Sequence, residues 1–371
     1  MIIMNLEVNN LYCFEEFKIN FSYPKKIVNS TVEYEYLKER PNFRFKRVNI
    51  IMGANASGKT LLGKCIKNIL DFINNKNSSN LMNSVIGGRM GSFSMELVVE
   101  EEGSIFNLYE VYCVISNHEV IELNIKKSVI LKNDSYEKVK EKLQQIYSYN
   151  IEKDNANEDS YITYLNRLSK VFSKGLFVFP EEIDKSIKIE LKNEKVLEKI
   201  LKTFDTAIKE VIKSEEVANL YHIIFKNGKT LSIQSGIPME KNFLSTGTEK
   251  AIFISHIIEE MLVKNGIFYV DEQFSYVQSE LEVALLSLMI TILKPKSQLF
   301  FTTHNIDVLE MDIPIHSYIF MKKDDKIEVI NPSDFIKKND RSLLNAVRND
   351  VFSTLPNTDL LNEIVESDEN E

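Results

Sequence analysis

Residues 53–60 read Gly53-Ala54-Asn55-Ala56-Ser57-Gly58-Lys59-Thr60, which matches the phosphate-binding pattern G-x-x-x-x-G-K-[ST] at every position. The preceding residues, 47–52, end in a short apolar run that predicts a buried strand, and apolar residues then recur at helical spacing as far as Leu70. The N–H groups of such a loop and the start of the helix converge on phosphate oxygens. The stretch therefore predicts a strand, a glycine loop and a helix that bind a nucleoside triphosphate.

Each residue type in this loop has a predicted role. Gly53 and Gly58 let the backbone approach the phosphates closely. Lys59 reaches the β- and γ-phosphates as a point charge, and the Thr60 hydroxyl is a ligand for Mg²⁺. The loop positions that complete the predicted ATP site are Asn55, Ala56 and Ser57.

The composition is that of a globular protein. The chain has 371 residues, of which 44% are hydrophobic and 10% aromatic, enough for one large α/β domain or two. The formal net charge of −9 argues against a surface that coats duplex DNA everywhere, although a local basic groove is compatible with it. Binding to DNA is thus possible but is not predicted by charge.

The cysteines and the apolar runs indicate the compartment. Cys13, Cys65 and Cys113 are odd in number, lie far apart and form no C-x-x-C pair. They predict reduced thiols, as in a cytosolic protein. The sequence has no run of about 18 apolar residues and no basic, apolar leader at its start. We therefore expect a cytoplasmic protein without a membrane partner.

The chain divides into three predicted parts, namely residues 1–134, 135–218 and 219–371. The first part contains the opening strands, the P-loop and a β-meander over 92–127 that turns at Glu102-Gly103. The second part is rich in Lys, Glu and Asn, and its periodicity predicts helices over 135–176 and 185–216 as a helical insertion. The fold class is α/β with a mixed central sheet.

The third part returns to a sheet pattern. A hairpin is predicted around Asn227-Gly228, and residues 267–270 and 298–303 form apolar runs typical of central strands. A helix between these two strands is predicted to stop before Pro295. Parallel strands bring their carboxyl ends to one edge of a sheet, where the P-loop also lies.

Polar residues follow both of these strands. Asp271 is predicted to hold Mg²⁺, and Glu272 to orient and deprotonate the attacking water as a general base. His304, at the end of the next strand, is predicted to hydrogen-bond the γ-phosphate. Together with Lys59, Glu272 and His304 form the predicted catalytic set.

Two interpretations fit residues 243–250, which precede another predicted helix. Ser245 or Thr248 can be an ordinary helix N-cap, with Glu249 in the first turn. Alternatively, Ser245 and Gly247 form a second anion site, which would serve a phosphate bound by a neighbouring subunit.

The order of these motifs resembles that of ABC-type P-loop ATPases. The motifs are the P-loop, a long insertion, Leu244-Ser245-Thr246-Gly247-Thr248-Glu249-Lys250, Val270-Asp271-Glu272 and Thr302-Thr303-His304-Asn305. The sequence is most similar to the soluble branch of SMC-like, DNA-repair and overcoming-lysogenization-defect (OLD) ATPases, which are AAA-family ATP-binding proteins of bacterial defence or DNA repair. This resemblance implies an ABC-ATPase head.

In that family two heads sandwich two ATP molecules, so the resemblance implies a homodimer or a higher even oligomer formed through ATP. Ser245 and Gly247 would then contact the γ-phosphate of the partner head. The resemblance also implies ATP and Mg²⁺ as ligands, and a separately encoded effector protein or DNA as the target of the switch. Several departures from the family pattern, among them a signature that reads Ser-Thr-Gly-Thr, predict slow hydrolysis. Anti-phage defence and DNA maintenance are the implied roles.

Two other functions remain open at this point. The chain could bind ATP without hydrolysing it, as a regulatory or scaffold protein. It could also be the motor domain of an ABC transporter, although its long insertion is less typical of that class.

Overall fold

The structure is a computed structural model. It describes residues 1–26, 30–74, 79–87, 89–153, 158–172, 175–179, 189–240, 244–274, 277–336, 342–352 and 354, with backbone only for residues 158–160. Phe243, the start of the helix expected over 185–216, and parts of the expected loops therefore lie outside the described residues.

The strands of the described chain are β1 (Ile2–Asn9), β2 (Phe17–Asn20), β3 (Tyr36–Leu37), β4 (Arg40–Arg44), β5 (Val48–Met52), β6 (Gly91–Glu101), β7 (Ile105–Ser116), β8 (Glu119–Val129), β9 (Gln144–Asn150), β10 (Leu176–Val178), β11 (Ile208–Lys213), β12 (Leu220–Phe225), β13 (Thr230–Gln234), β14 (Ile237–Pro238), β15 (Ile267–Asp271), β16 (Gln298–Thr302), β17 (Tyr318–Lys323) and β18 (Ile327–Ile330). The α-helices are α1 (Lys59–Ile73), α2 (Ser79–Met82), α3 (Tyr136–Glu141), α4 (Glu158–Leu168), α5 (Glu194–Phe204), α6 (Thr246–Val263), α7 (Ser279–Ile292), α8 (Pro332–Phe335) and α9 (Leu343–Arg348).

A mixed sheet forms the centre of the molecule, in the order β10-β15-β16-β5-β17-β18. All neighbouring pairs are parallel except β17 and β18, which form an antiparallel hairpin. The P-loop strand β5 lies next to β16, and β16 lies next to β15. In register, Asp271 is opposite Thr302, and Thr302 is opposite Ile51. The ends of β5, β15 and β16 thus form one edge, which we call the carboxyl edge.

An antiparallel sheet packs against one face of the central sheet, in the order β2-β1-β6-β7-β8-β9. It contains the predicted meander, with a turn of 3₁₀-helix over Glu102–Ser104. Helix α1 lies between the two sheets, because its buried residues belong to the same apolar cluster as residues of both sheets. Gln298 also joins the sheets, since its side-chain amide bonds the backbone N–H and C=O of Ile3 at 2.9 and 3.1 Å.

A second apolar core covers the opposite face of the central sheet. Helices α5, α6 and α7 and the small sheet β11-β12-β13-β14 contribute to it. Alternation along the strands divides residues between the cores: Tyr269 and Phe300 face α1, whereas Val270 and Phe301 face α6. Each fully buried apolar side chain contributes about 2 kcal/mol. Burial on both faces explains why these strands are continuous apolar runs.

The stretch 135–218 is more mixed than predicted. Helices α3, α4 and α5 are present, but β9 pairs with β8, β10 with β15, and β11 with β12. The expected helices are wrong for residues 144–150, which form β9, and for residues 208–213, which form β11. A spacing of four residues, as between Ile208 and Ile212, suits one face of either element, so the apolar pattern alone could not separate them. The three-part domain division stays a prediction.

No helix in the described parts of the chain is long and apolar enough to cross a membrane. The three cysteines are free; Cys65 and Cys113 are buried and Cys13 is half-buried. Burial raises the pKa of both Cys65 and Cys113, which keeps them protonated.

Lys46 is a buried cation just before β5, and its side chain donates to Asn331 Oδ1 at 2.7 Å. Burial lowers the pKa of Lys46 from 10.5 to about 8. Between these two values the unfolded chain binds more protons than the folded one, so the folded state should gain stability as the pH rises from 8 towards 10.5. Below pH 8 the folded protein keeps Lys46 charged, so its stability is lowered by the full free energy of burying that charge.

Replacing Lys46 with Met should therefore raise the free energy of unfolding at neutral pH by about 2 kcal/mol, after allowing for the lost hydrogen bond. Urea denaturation across this pH range measures the effect, and the gain from the variant should shrink as the pH rises. Lys18→Met, at an exposed position paired with Glu7, is the matched control. A Lys46→Met protein that is less stable than the wild type at neutral pH would contradict this account.

Candidate functional site

The P-loop has the backbone that its glycines predict. Gly53 has φ 155° and Gly58 has φ 96°, conformations that favour glycine. A Cβ atom at Gly53 would lie 2.2 Å from the carbonyl oxygen of Met321 on the neighbouring strand β17. The loop therefore turns tightly between β5 and α1, and close packing excludes any side chain at its first position.

Ser57 is a buried residue of this loop whose hydroxyl has no hydrogen-bond partner among the described residues. Buried polar atoms are nearly always paired in folded proteins. An anion bound in the loop would offer such a partner. The donor set, which combines backbone N–H groups, a hydroxyl and Lys59 at the start of a helix, fits a phosphate group.

The Lys59 side chain lies inside the loop and hydrogen-bonds its backbone. Its Nζ donates to the carbonyl oxygens of Gly53 and Ala54 at 3.0 and 3.2 Å, and it lies 3.3 Å from Glu272 Oε1. The Lys59 side chain is only 3% exposed, and burial lowers its pKa although Glu272 opposes the effect. Lys59 thus links the loop to the end of strand β15.

Asp271 and Thr60 meet at the carboxyl edge. Thr60 Oγ1 donates to Asp271 Oδ2 at 2.7 Å, and Thr302 Oγ1 donates to Asp271 Oδ1 at 2.6 Å. Asp271 is fully buried; burial raises the pKa of its carboxyl, and the two hydroxyl hydrogen bonds oppose that rise. A hydroxyl and a carboxylate are hard oxygen ligands, so this pair fits Mg²⁺.

Glu272 and His304 form the outer part of the same cluster. His304 Nε2 lies 2.9 Å from Glu272 Oε1. The hydrogen bond from His304 lowers the pKa of Glu272, and Lys59 acts in the same direction against burial. The carboxylate is therefore ionised at neutral pH, with 26% of its side chain exposed. It is accessible from solvent, as a group that acts on a water molecule must be.

Glu272 also has an unusual backbone. Its φ is +44°, in the left-handed region, which costs about 1 kcal/mol for a non-glycine residue. Its N–H donates to Thr302 Oγ1 at 3.0 Å. Strain of this kind clusters at functional sites, and the carboxylate of Glu272 contacts both Lys59 and His304.

Comparisons of sequence find no match: no family model fits the chain, and no curated protein is similar to it. Comparisons of structure do find similar proteins. An SMC head bound to the C-winged helix domain of ScpA aligns with 91% of this chain and 100% of that chain at a TM-score of 0.53 and 12% identity. The chain has the fold of an SMC head. This fold confirms the predicted fold class and, at the level of the fold, the resemblance to SMC-like heads.

Two further structures align with this chain at lower TM-scores. The SMC head domain from Thermotoga maritima has a TM-score of 0.44 at 13% identity and covers 89% of this chain and 99% of that chain. The recombination mediator protein RecF has a TM-score of 0.43 at 10% identity and covers 89% of this chain and 98% of that chain.

Ser245 and Gly247 lie at the start of α6. Ser245 is the N-cap: its Oγ accepts the N–H of Thr248 at 3.1 Å and bonds Thr248 Oγ1 at 2.8 Å. Ser245 is exposed, and the nearest described atom to a Cβ placed at Gly247 is Ser245 Oγ at 3.7 Å. Ser245 is therefore a helix cap in the local structure. The space beside Gly247 is open, so a second anion site formed by Ser245 and Gly247 remains possible.

Sequence reasoning missed two residues of this site. Thr302 bridges Asp271 and the backbone of Glu272, and Tyr269 donates from its buried hydroxyl to the carbonyl oxygen of Lys59 at 2.7 Å. Thr302 could have been found from the sequence, because it is the polar residue that ends the apolar run 298–302. Tyr269 could not, because a tyrosine in a buried strand is usually an ordinary core residue.

Proposed function

We propose that this chain is a Mg²⁺-dependent ATPase. One observation carries the proposal: Lys59, Thr60, Asp271, Glu272 and His304 lie in one connected cluster where the P-loop meets the carboxyl edge. These residues come from three parts of the chain, and each is of the type that its proposed role requires. A structural ion-pair network would not need a glycine loop and an unpaired buried hydroxyl beside it.

The loop residues would bind the triphosphate. Lys59 already lies inside the loop. When ATP binds, the Lys59 ammonium group would leave Glu272 and pair with the β- and γ-phosphates. The backbone N–H groups at the start of α1 would add donors whose orientation is set before binding. Binding therefore needs little rearrangement beyond release of the Lys59 side chain.

Thr60 and Asp271 would hold the metal. Mg²⁺ at this position would supply positive charge against the phosphate oxygens during transfer. Asp271 is oriented for this role by Thr302, which leaves the carboxylate no freedom to rotate away from Thr60. The buried position of Asp271 strengthens its interaction with any cation, because screening by water is weak there.

Glu272 would act on the attacking water. Its carboxylate is ionised, so it accepts one proton from water while the water oxygen bonds the γ-phosphorus and the bond to the ADP oxygen breaks. His304 lies against the same carboxylate oxygen and would hold it in place, or donate to the γ-phosphate once Glu272 turns to the water. The products are ADP and inorganic phosphate.

We also propose that two copies associate head to head around ATP. Ser245 and Gly247 support this because they are accessible at the start of α6 and are not bonded to the P-loop of their own chain in the described structure. The similar SMC head is reported with a bound protein domain, ScpA. By analogy, closure of the dimer would switch engagement of an effector protein or DNA, in anti-phage defence or DNA maintenance.

Phosphate release by the purified chain tests the ATPase proposal. We expect release with ATP and Mg²⁺, none with EDTA, and an increase in mass by light scattering when ATP is added. Binding of ATP without phosphate release would favour the non-hydrolysing scaffold function. Failure to bind ATP would refute the proposal.

Replacing Ser245 with Arg should prevent ATP-dependent association. The variant should bind ATP as the wild type does but associate at least about tenfold more weakly, because a long cation would fill the proposed interface. It also loses an N-cap worth about 1 kcal/mol. Ser342→Arg is the matched control, since Ser342 caps α9 in the same way and is equally exposed. Equal association of both variants would show that Ser245 is only a cap.

A further inference from the structure

Residues 302–305, which we call the switch segment, contain His304, and two of the four contact Asp271 or Glu272. Thr302 donates to Asp271 and accepts from the backbone of Glu272. His304 contacts the Glu272 carboxylate at 2.9 Å. These two residues point towards the nucleotide side of the carboxyl edge.

The other two residues of the switch segment are bonded to helix α7. Thr303 Oγ1 donates to Glu282 Oε1 at 2.5 Å and accepts the N–H of Asn305 at 2.9 Å. Asn305 Nδ2 donates to the carbonyl oxygen of Ser279 at 3.2 Å. Glu282 is thus bonded directly to the residue before His304 and, through the Thr303 hydroxyl, is linked to the backbone N–H of the residue after it.

Glu282 is a buried carboxylate, 5% exposed, to which the ATPase mechanism gives no role. Burial raises its pKa, and the hydrogen bonds from Thr303 and Asn305 oppose that rise. Keeping an acid in such a place costs free energy, so a carboxylate there calls for an explanation. An apolar residue would fill the first turn of α7 at lower cost but would accept no hydrogen bonds.

We propose that Glu282 is a positioning residue that holds His304 against Glu272. The proposal rests on the proposed ATPase function. The His304 side chain is 39% exposed, so packing does not fix its ring, and its direction depends on the backbone of the switch segment. Glu282 holds the Thr303 hydroxyl, and that hydroxyl accepts the backbone N–H of Asn305, so the contact spans both sides of His304. It also ties the switch segment to α7, the helix that follows Glu272 in the chain.

Loss of Glu282 should therefore change turnover more than binding. We expect Glu282→Ala to lower kcat for ATP hydrolysis about 10- to 100-fold, with the Kd for ATP within about threefold of the wild type, since the phosphate ligands are untouched. Glu282→Gln keeps one acceptor oxygen and should recover part of the rate. Thr303→Val removes the hydroxyl that bonds Glu282 and should lower kcat as Glu282→Ala does. Thr303→Ser keeps the hydroxyl and should have the wild-type rate.

A spectroscopic measurement tests the same contact without nucleotide. The chain has five histidines, so ring ¹⁵N signals are few, and a His304→Ala spectrum assigns the one from His304. Glu282→Ala and Thr303→Val should shift and broaden that signal, and Thr303→Ser should not. If the wild type proves inactive, the proposed function fails, but this measurement still decides the positioning role.

A wild-type kcat together with an unchanged His304 signal in Glu282→Ala would overturn the proposal. So would equal losses in kcat and ATP affinity, which indicate general damage to the fold. If Glu282→Ala does not fold by circular dichroism, the pair Thr303→Val and Thr303→Ser decides, because valine matches the shape of threonine without its hydroxyl. Identical rates and His304 signals for that pair would refute the role of Glu282.

Discussion

Replacing Glu272 with Gln should lower kcat for ATP hydrolysis by about 100- to 1,000-fold while ATP binds at least as tightly as before. Gln cannot accept the proton from the attacking water. It also removes the negative charge beside Lys59 and His304, so these groups become available to the γ-phosphate without first leaving a carboxylate. Binding should therefore improve for ATP more than for ADP.

Phosphate release and titration with a fluorescent ATP analogue measure the two parts of this prediction. Light scattering adds a third, because a dimer that cannot hydrolyse its ATP should accumulate. Glu280→Gln is the matched control: it removes an exposed carboxylate from the first turn of α7 and should leave all three measurements unchanged. A Glu272→Gln protein with wild-type phosphate release would exclude Glu272 as the base.

Replacing Lys59 with Met should weaken ATP binding by about 100-fold or more, since a charge-assisted contact with phosphate in a buried site is lost. The loop also loses the cation that bonds the carbonyl oxygens of Gly53 and Ala54. The variant should not associate when ATP is added, in contrast to Glu272→Gln.

Isothermal titration with ATP in EDTA separates this effect from metal binding. Lys67→Met is the matched control, because Lys67 lies on the same helix and pairs with Asp71 at its surface. Circular dichroism should give a folded protein for both variants. Retained ATP affinity in Lys59→Met would mean that the loop does not bind phosphate through this residue.

Local requirements explain why the P-loop was predicted in full. Gly53 and Gly58 have backbone conformations that favour glycine, and a lysine at the helix start is part of the same short segment. Strands β15 and β16 were also predicted with little error, since burial on both faces produces continuous apolar runs. The placement of Asp271 and Glu272 followed from the end of the first of these runs.

Other features depend on contacts between distant parts of the chain. The pairing of β9, β10 and β11 with strands of the larger sheets decided that these segments are extended, although their composition resembles that of the neighbouring helices. The left-handed backbone of Glu272 is held by Thr302, which is far away in sequence. No local pattern contains that information.

The sequence by itself determined the loop, the helix that follows it and the identity of the residues that we propose to bind phosphate and Mg²⁺, because these depend on backbone freedom and side-chain chemistry within a few residues. Only the tertiary structure decided the strand order that brings Asp271 and Thr302 beside the P-loop, and the placement of Glu282 behind His304. The physical reason is that buried hydroxyls and carboxylates must find partners wherever the fold provides them, and those partners are set by packing rather than by spacing along the chain.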